Sequence, residues 1–178
     1  MKGVVFNLLE EVVIRHHGDA AWDALLEVAG LSGSYTSLGS YPDGQMEQLV
    51  LAASNALDLP PATVLRWFGK EAMPLLAARY PVFFNTQKSL YPFVLSVNNI
   101  IHPEVRKLYA GAHCPNFHFK DAADGSLLME YSSQRKLCHL ACGFIEGAAT
   151  HYKEVVEVTH VQCMHNGDAK CLLRIVMS

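Results

Sequence analysis

Three groups of residues have types and spacings suited to chemistry. The first centres on His102. It follows the apolar pair Ile100 and Ile101 and precedes Pro103 and Glu104. Proline suits the first position of a helix and an acid suits its first turn, so His102 is predicted to stand at a helix start. An imidazole held there in apolar surroundings can serve as an axial ligand to haem iron. A capping or core histidine is the competing reading of this segment taken alone.

The second group is Tyr131, Ser133 and Arg135, spaced two apart. On a strand, alternate residues share a face, so a phenol, a hydroxyl and a guanidinium are predicted to stand side by side. Such a set binds carboxylates, with arginine able to form a bidentate pair. An exposed polar strand face is the alternative. The third group is Cys138, His160, Cys163 and Cys171. One histidine and three cysteines match the ligands of a closed tetrahedral zinc site, although the spacing differs from common zinc-finger patterns. Ordinary buried cysteines are the competing reading. His165 lies nearer the turn and ranks below His160 as a ligand. Cys114 and Cys142 are expected to be core or pocket residues.

The elements that must position these groups follow from periodicity. Residues 2–15 place Val5, Leu8, Leu9, Val12 and Val13 on one helical face. Residues 19–30 predict a second helix, and Leu31–Gly44, rich in Ser, Gly and Tyr, a loop. Helices are predicted over 45–57, 61–79 and 88–100, with Pro61 suited to a first helical turn. The last third changes character. Strands are predicted over 115–121 and 126–135 around Asp124-Gly125, and over 154–163 and 170–177 around Asn166-Gly167-Asp168. Residues 138–152 between them read as a helix, which Gly143 and Gly147 weaken. The class expected is α+β: a helical N-terminal part, then an antiparallel four-stranded sheet carrying one more helix. No Pro- or Ser-rich linker divides the chain, so residues 1–178 are read as one domain.

Bulk properties exclude several functions. Of 178 residues, 51% are hydrophobic and 17% charged, which suits a fold that also wraps an apolar ligand. The net charge of −3, without a long basic run, argues against nucleic acid as a main partner. No apolar stretch reaches membrane-spanning length. The apolar start Met1–Val13 carries Glu10 and Glu11, which a signal peptide would not, so a cytoplasmic protein is expected. Five cysteines in such a chain suggest metal or redox chemistry before disulfides.

Taken together, these residues resemble the H-NOX (haem nitric oxide/oxygen binding) family, which includes the haem domain of soluble guanylate cyclase. The opening MKGVVFNLLE is similar to the family's start. His102 matches its proximal ligand, and Tyr131, Ser133 and Arg135 match its Tyr-x-Ser-x-Arg propionate motif. Pro115, in Cys114-Pro115-Asn116, matches the proline that presses on the haem. The resemblance covers nearly the whole chain. It implies a haem b buried between the helical part and the sheet, a diatomic ligand and a signalling output rather than turnover. Release of His102 from iron, letting the helix that starts there move, is the switch it implies. Some bacterial H-NOX proteins carry a site similar to the Cys138, His160, Cys163 and Cys171 set, so zinc is the second metal implied.

In the family, oxygen binders place a distal tyrosine that donates to bound oxygen, whereas nitric oxide needs no donor. The matching segment, 138–144, contains no tyrosine, and Leu140 takes the place. Val5, Leu9 and Phe144 complete an apolar distal side. His139 could donate if it faced the haem, but helical spacing from Leu140 and Phe144 turns it away, to an exposed or sheet-packing position. The resemblance therefore implies a nitric oxide sensor, also open to carbon monoxide. Its effector is expected on a separate chain, a histidine kinase or a cyclic-di-GMP enzyme, since no such segment occurs here. A thiol or zinc redox sensor with auxiliary haem is the alternative. A peroxidase would need a distal acid–base pair that the apolar segment does not supply.

Overall fold

A computed structural model describes residues 1–178. Four long helices come first: α1 (Gly3–His17), α2 (Asp19–Ala29), α3 (Asp43–Leu57) and α4 (Pro61–Arg79). The predicted 61–79 helix coincides with α4. α3 begins two residues ahead of its predicted start, inside the predicted loop. A short helix that periodicity does not reveal, α5 (Pro81–Asn85), then follows with its proline at the first turn. Next come α6 (Leu90–Ser96), a π-helical turn (Val97–Ile101) and α7 (His102–Leu108). The remainder is β1 (Asn116–Asp121), β2 (Leu127–Ser132), α8 (Cys138–Tyr152), β3 (Val156–Gln162) and β4 (Cys171–Met177). The α+β class is as expected, and no helix is long and apolar enough to cross a membrane.

Both predicted hairpins form, and β2 also pairs antiparallel with β4, giving one sheet in the order β1-β2-β4-β3. Tyr131 on β2 stands opposite Cys171 on β4 across that central seam. The inward faces of β2 and β4 bury Leu127, Met129, Leu173 and Ile175 against α8. A second apolar cluster joins α1 to α4 around Phe6, Leu49 and Phe68. Phe144 and Leu76 pack against both clusters, so α8 and α4 tie the helical part to the sheet.

Two glycines explain how closely α4 and α8 approach. A Cβ on Gly143 would stand 2.0 Å from the Arg66 carbonyl oxygen, and one on Gly69 would stand 2.5 Å from that of Leu140. The low helix propensity of Gly143 is thus outweighed by backbone contact that only glycine allows.

Candidate functional site

A cavity of about 530 Å³ opens where the C-terminal part of α4, α5 to α7, the sheet and α8 meet. Its lining is predominantly apolar. That volume lies in the range of small-molecule and cofactor sites.

His102 lines it. The sequence predicts a fresh helix start at this residue, but the chain is continuously helical from Leu90 to Leu108. The His102 N–H donates to the Val97 carbonyl five residues back, through the π-turn. Pro103 would clash with the carbonyl of residue 99 in a straight α-helix, and a widened turn relieves that clash. Asn98 Nδ2 anchors the turn by donating to Phe117 O at 2.6 Å on β1. The His102 ring lies 5.4 Å from that of Phe117, and its Nδ1 is buried with no partner. Burial, aided by the positive Arg106, lowers its pKa to about 4, so the imidazole is neutral near pH 7.

Tyr131, Ser133 and Arg135 line the same cavity, but not as one strand face. β2 ends at Ser132. The chain then turns, with Lys136 at φ +51° and its N–H donating to Ser133 O at 3.1 Å. The turn, not strand alternation, brings the three together. Ser133 Oγ accepts from the Arg135 N–H at 3.3 Å, and Tyr131 Oη accepts from the Leu137 N–H at 2.9 Å. Burial pushes the Tyr131 phenol up to about 12, so it stays protonated. Arg135 Nη1 donates to His113 O at 2.6 Å, and Nε lies 2.9 Å from Asp43 Oδ1 in a charge contact that lacks hydrogen-bond alignment. Burial would raise the Asp43 carboxyl, but the N-terminal amine and Arg135 hold it below its usual value. Nothing in local spacing points to Asp43, which lies 92 residues before Arg135.

Val5, Pro115, Leu140 and Phe144 also line the cavity. Leu9 does not, which corrects its predicted place. It lines a smaller cavity of about 280 Å³ among the first four helices, while Val4, Val5 and Leu8 of α1 face the larger one. Successive helical residues are rotated by about 100°, so Leu8 stacks over Val4 and Leu9 turns away. The contributions of α1 and α8 to the larger cavity (Val4, Val5, Leu8, Leu140, Ala141, Phe144 and Ile145) carry no hydrogen-bond donor on their side chains.

A family model described as Haem-NO-binding matches residues 2–160. The chain belongs to the H-NOX family. A crystal structure of an H-NOX protein from S. oneidensis in the Fe(II)NO ligation state is 31% identical, with a TM-score of 0.94 over 100% of this chain and 99% of that one. An NMR structure of the H-NOX domain from Shewanella oneidensis in the Fe(II)CO state is 31% identical, with a TM-score of 0.89 over 100% and 99%. The unliganded Fe(II) H-NOX protein from K. algicida is 26% identical, with a TM-score of 0.87 over 100% and 97%.

H-NOX proteins are haem-based gas sensors, and this H-NOX cavity fits the group. It offers a flat macrocycle apolar walls, a neutral imidazole with an orphaned buried nitrogen, and a guanidinium already engaged with a carboxylate.

A second constellation in this H-NOX chain lies at the first turn of α8. The ligand atoms of Cys138, His139, His160 and Cys163 all lie within 4.8 Å of one another. The sulfurs of Cys138 and Cys163 are 3.9 Å apart. Cys171, fully buried, packs in the same cluster with Cys138 and Cys163, and its sulfur accepts from the Met164 N–H at 3.2 Å. His160 and Cys163, three apart, would face opposite sides of a regular strand. A bulge between His160 and Gln162 inserts one residue and lets both face the cluster. His160 Nε2 is buried without a partner. Burial pushes up the thiols of Cys138 and Cys171, so both stay protonated until a metal displaces the protons.

His139, placed by sequence reasoning at an exposed or sheet-packing position, is half-buried with its ring 4.6 Å from that of His160. The sequence set of four therefore omits a donor. His165 is held outside the close group, its Nε2 donating to Lys136 O at 2.7 Å. Cys142 is buried in the sheet-side core, with its thiol pushed up to about 12 by burial, and Cys114 lines the large cavity.

Proposed function

We propose that this H-NOX chain, over residues 1–178, is a haem-based nitric oxide sensor that regulates a separate signalling protein through release of His102 from iron. The observation that carries the reading is the meeting, in one apolar cavity, of the neutral His102 imidazole with Tyr131, Ser133 and Arg135. When bound, haem b would supply an iron able to take a diatomic gas. His102 offers that iron one neutral nitrogen. Arg135, Ser133 and Tyr131 would hold the propionates, with Arg135 shared between them and Asp43. Val5, Leu140 and Phe144 would keep water and donors away from the gas side, and Pro115 would pack against the ring. Nitric oxide needs no donor and oxygen does, so the walls favour nitric oxide and also admit carbon monoxide. The states named for the Shewanella relatives, with nitric oxide and with carbon monoxide, support this. Release of His102 from that iron would leave α7 free to shift about the π-turn, and a histidine kinase or cyclic-di-GMP enzyme in the cytoplasm would read the shift.

The Cys/His cluster supports a structural zinc in addition. Bonds of about 2.3 Å in a tetrahedron set two thiolate sulfurs about 3.8 Å apart, close to the spacing of Cys138 and Cys163. Cys138, His160, Cys163 and Cys171 are its proposed resting ligands.

His102→Gly tests the first assignment. That variant is expected to lose haem, or to hold it only with added imidazole. Full haem binding with an unchanged ferrous spectrum would reject the reading. Metal analysis of reduced protein tests the second, with about one zinc per chain expected.

A further inference from the structure

We propose that His139 is a reserve ligand of the zinc site, competing with Cys171 for the fourth coordination position while Cys138, His160 and Cys163 are shared by both states. This inference rests on the zinc reading above. Four ligand atoms lie close together, Cys171 packs beside two of them as a fifth donor, and a closed zinc site takes four. The ligand atom of His139 is within 4.8 Å of those of Cys138, His160 and Cys163, so these four already form a compact set without Cys171. Cys171 approaches from β4, and His139 from the first turn of α8.

The two states differ in charge and in attachment. Zinc with three thiolates and one imidazole carries one net negative charge, whereas two thiolates and two imidazoles leave it neutral. In the exchange, the Zn–S bond to Cys171 breaks, its sulfur takes a proton from solvent, and a lone pair of neutral His139 forms the new Zn–N bond. No oxidant or reductant is needed. Cys171 is fully buried and is well placed as a neutral thiol when released. His139 is half-buried at the cluster, with its ring 4.6 Å from that of His160.

The exchange moves one of the metal's four anchors from β4 to α8. Leu137, Leu140 and Ala141, which flank His139 in sequence, line the large cavity. The choice of ligand therefore bears on the same helix turn that walls the gas site.

The test is zinc content of the purified haem-loaded protein, with the cobalt(II) form as an optical reporter. Wild type is expected to hold about one zinc per chain. Cys171→Ser is expected to keep about one zinc, while its cobalt form loses about one third of the thiolate-to-cobalt absorption as one thiolate of three goes. The double variant C171S/H139A is expected to lose the metal. Zinc in wild type but not in Cys171→Ser, with the haem spectrum intact, would overturn the proposal and leave the zinc reading standing. Retention of zinc by the double variant would overturn it too. Wild type without zinc would overturn both. Should Cys171→Ser fail to fold, zinc release to a chelator decides: His139→Ala is expected to release several-fold faster than wild type because no ligand recaptures the metal, and equal rates would overturn the proposal.

Discussion

The phenol oxygens of Tyr80 and Tyr109 lie 2.5 Å apart in a hydrogen bond that joins the end of α4 to the end of α7. Tyr109 closes the helix that begins at His102, so this bond pins the far end of that helix to the helical part of the fold. Burial, with the bond to Tyr80, pushes the Tyr109 phenol up to about 12, so it stays protonated. Tyr80→Phe is expected to remove about 0.5–1.5 kcal/mol. Thermal unfolding should fall by about 2–4 °C per kcal/mol lost in a chain of this size. Release of His102 on binding nitric oxide should be faster in that variant, which stopped-flow absorption would show. An unchanged rate would mean that Tyr109 does not restrain the helix.

Arg135→Ala should weaken haem retention more than Ser133→Ala. It removes a charge-assisted contact, each worth about 1.5–3 kcal/mol, or roughly ten- to a hundredfold in the haem dissociation constant. It also leaves Asp43 without one of its two cationic neighbours. Haem transfer to an excess of apomyoglobin measures the loss. Equal rates in wild type and Arg135→Ala would assign the turn another role.

The ferrous protein should bind nitric oxide and carbon monoxide and form no stable oxygen complex in air. Bound oxygen draws charge from iron and gains from a donor, worth about 0.5–1.5 kcal/mol and more when the acceptor is charged. Val5, Leu140 and Phe144 supply none, and His139 is turned into the cysteine cluster. Optical titration of anaerobic ferrous protein with each gas is the measurement. A stable oxy-ferrous spectrum in air would overturn the selectivity. A six-coordinate spectrum persisting at saturating nitric oxide would remove the release of His102 as the trigger.

The metal-free, haem-free chain should lose stability as pH falls from about 6.5 to about 4. His102 and His139 both have pKa values lowered to about 4 in the fold, mainly by burial. Between those values the unfolded chain binds protons that the folded chain does not, so acid favours unfolding. Above about 6.5 both states are neutral and these residues contribute no slope. Asp43 and Glu130, with lowered values, add their own loss only in the carboxylate range below. Urea midpoints measured across the window should fall with acid, and His102→Leu should flatten part of the slope. A midpoint that stays level in wild type would show that the two imidazoles are not desolvated.

Much of the arrangement is readable from local pattern. Residues 61–79 and 138–152 are helices because their apolar spacing and their flanks agree, and both hairpins announce themselves through glycine-containing turns. Tyr131, Ser133 and Arg135 stand out by their two-residue spacing, His102 by its apolar and proline-flanked segment, and Pro115 only through the family resemblance; all five line one cavity. Even there the means differ from the pattern: a π-turn presents His102, and a reverse turn gathers Ser133 and Arg135.

Other features depend on contacts between distant parts of the chain. Whether Leu8 or Leu9 faces the cavity is a matter of helix phase, which two adjacent leucines leave undetermined until α1 docks. The place of Asp43 beside Arg135 comes from the helical part closing over the sheet. The bulge between His160 and Gln162 brings two side chains to one side that strand alternation would separate, and the packing of α8 beside that strand adds His139 to a group that composition alone fills with Cys171. Sequence determines which side chains are available and the local period on which they ride. Packing sets the rotation of each helix and the register of each strand, and a rotation of one residue or a single inserted residue decides which donor faces a site.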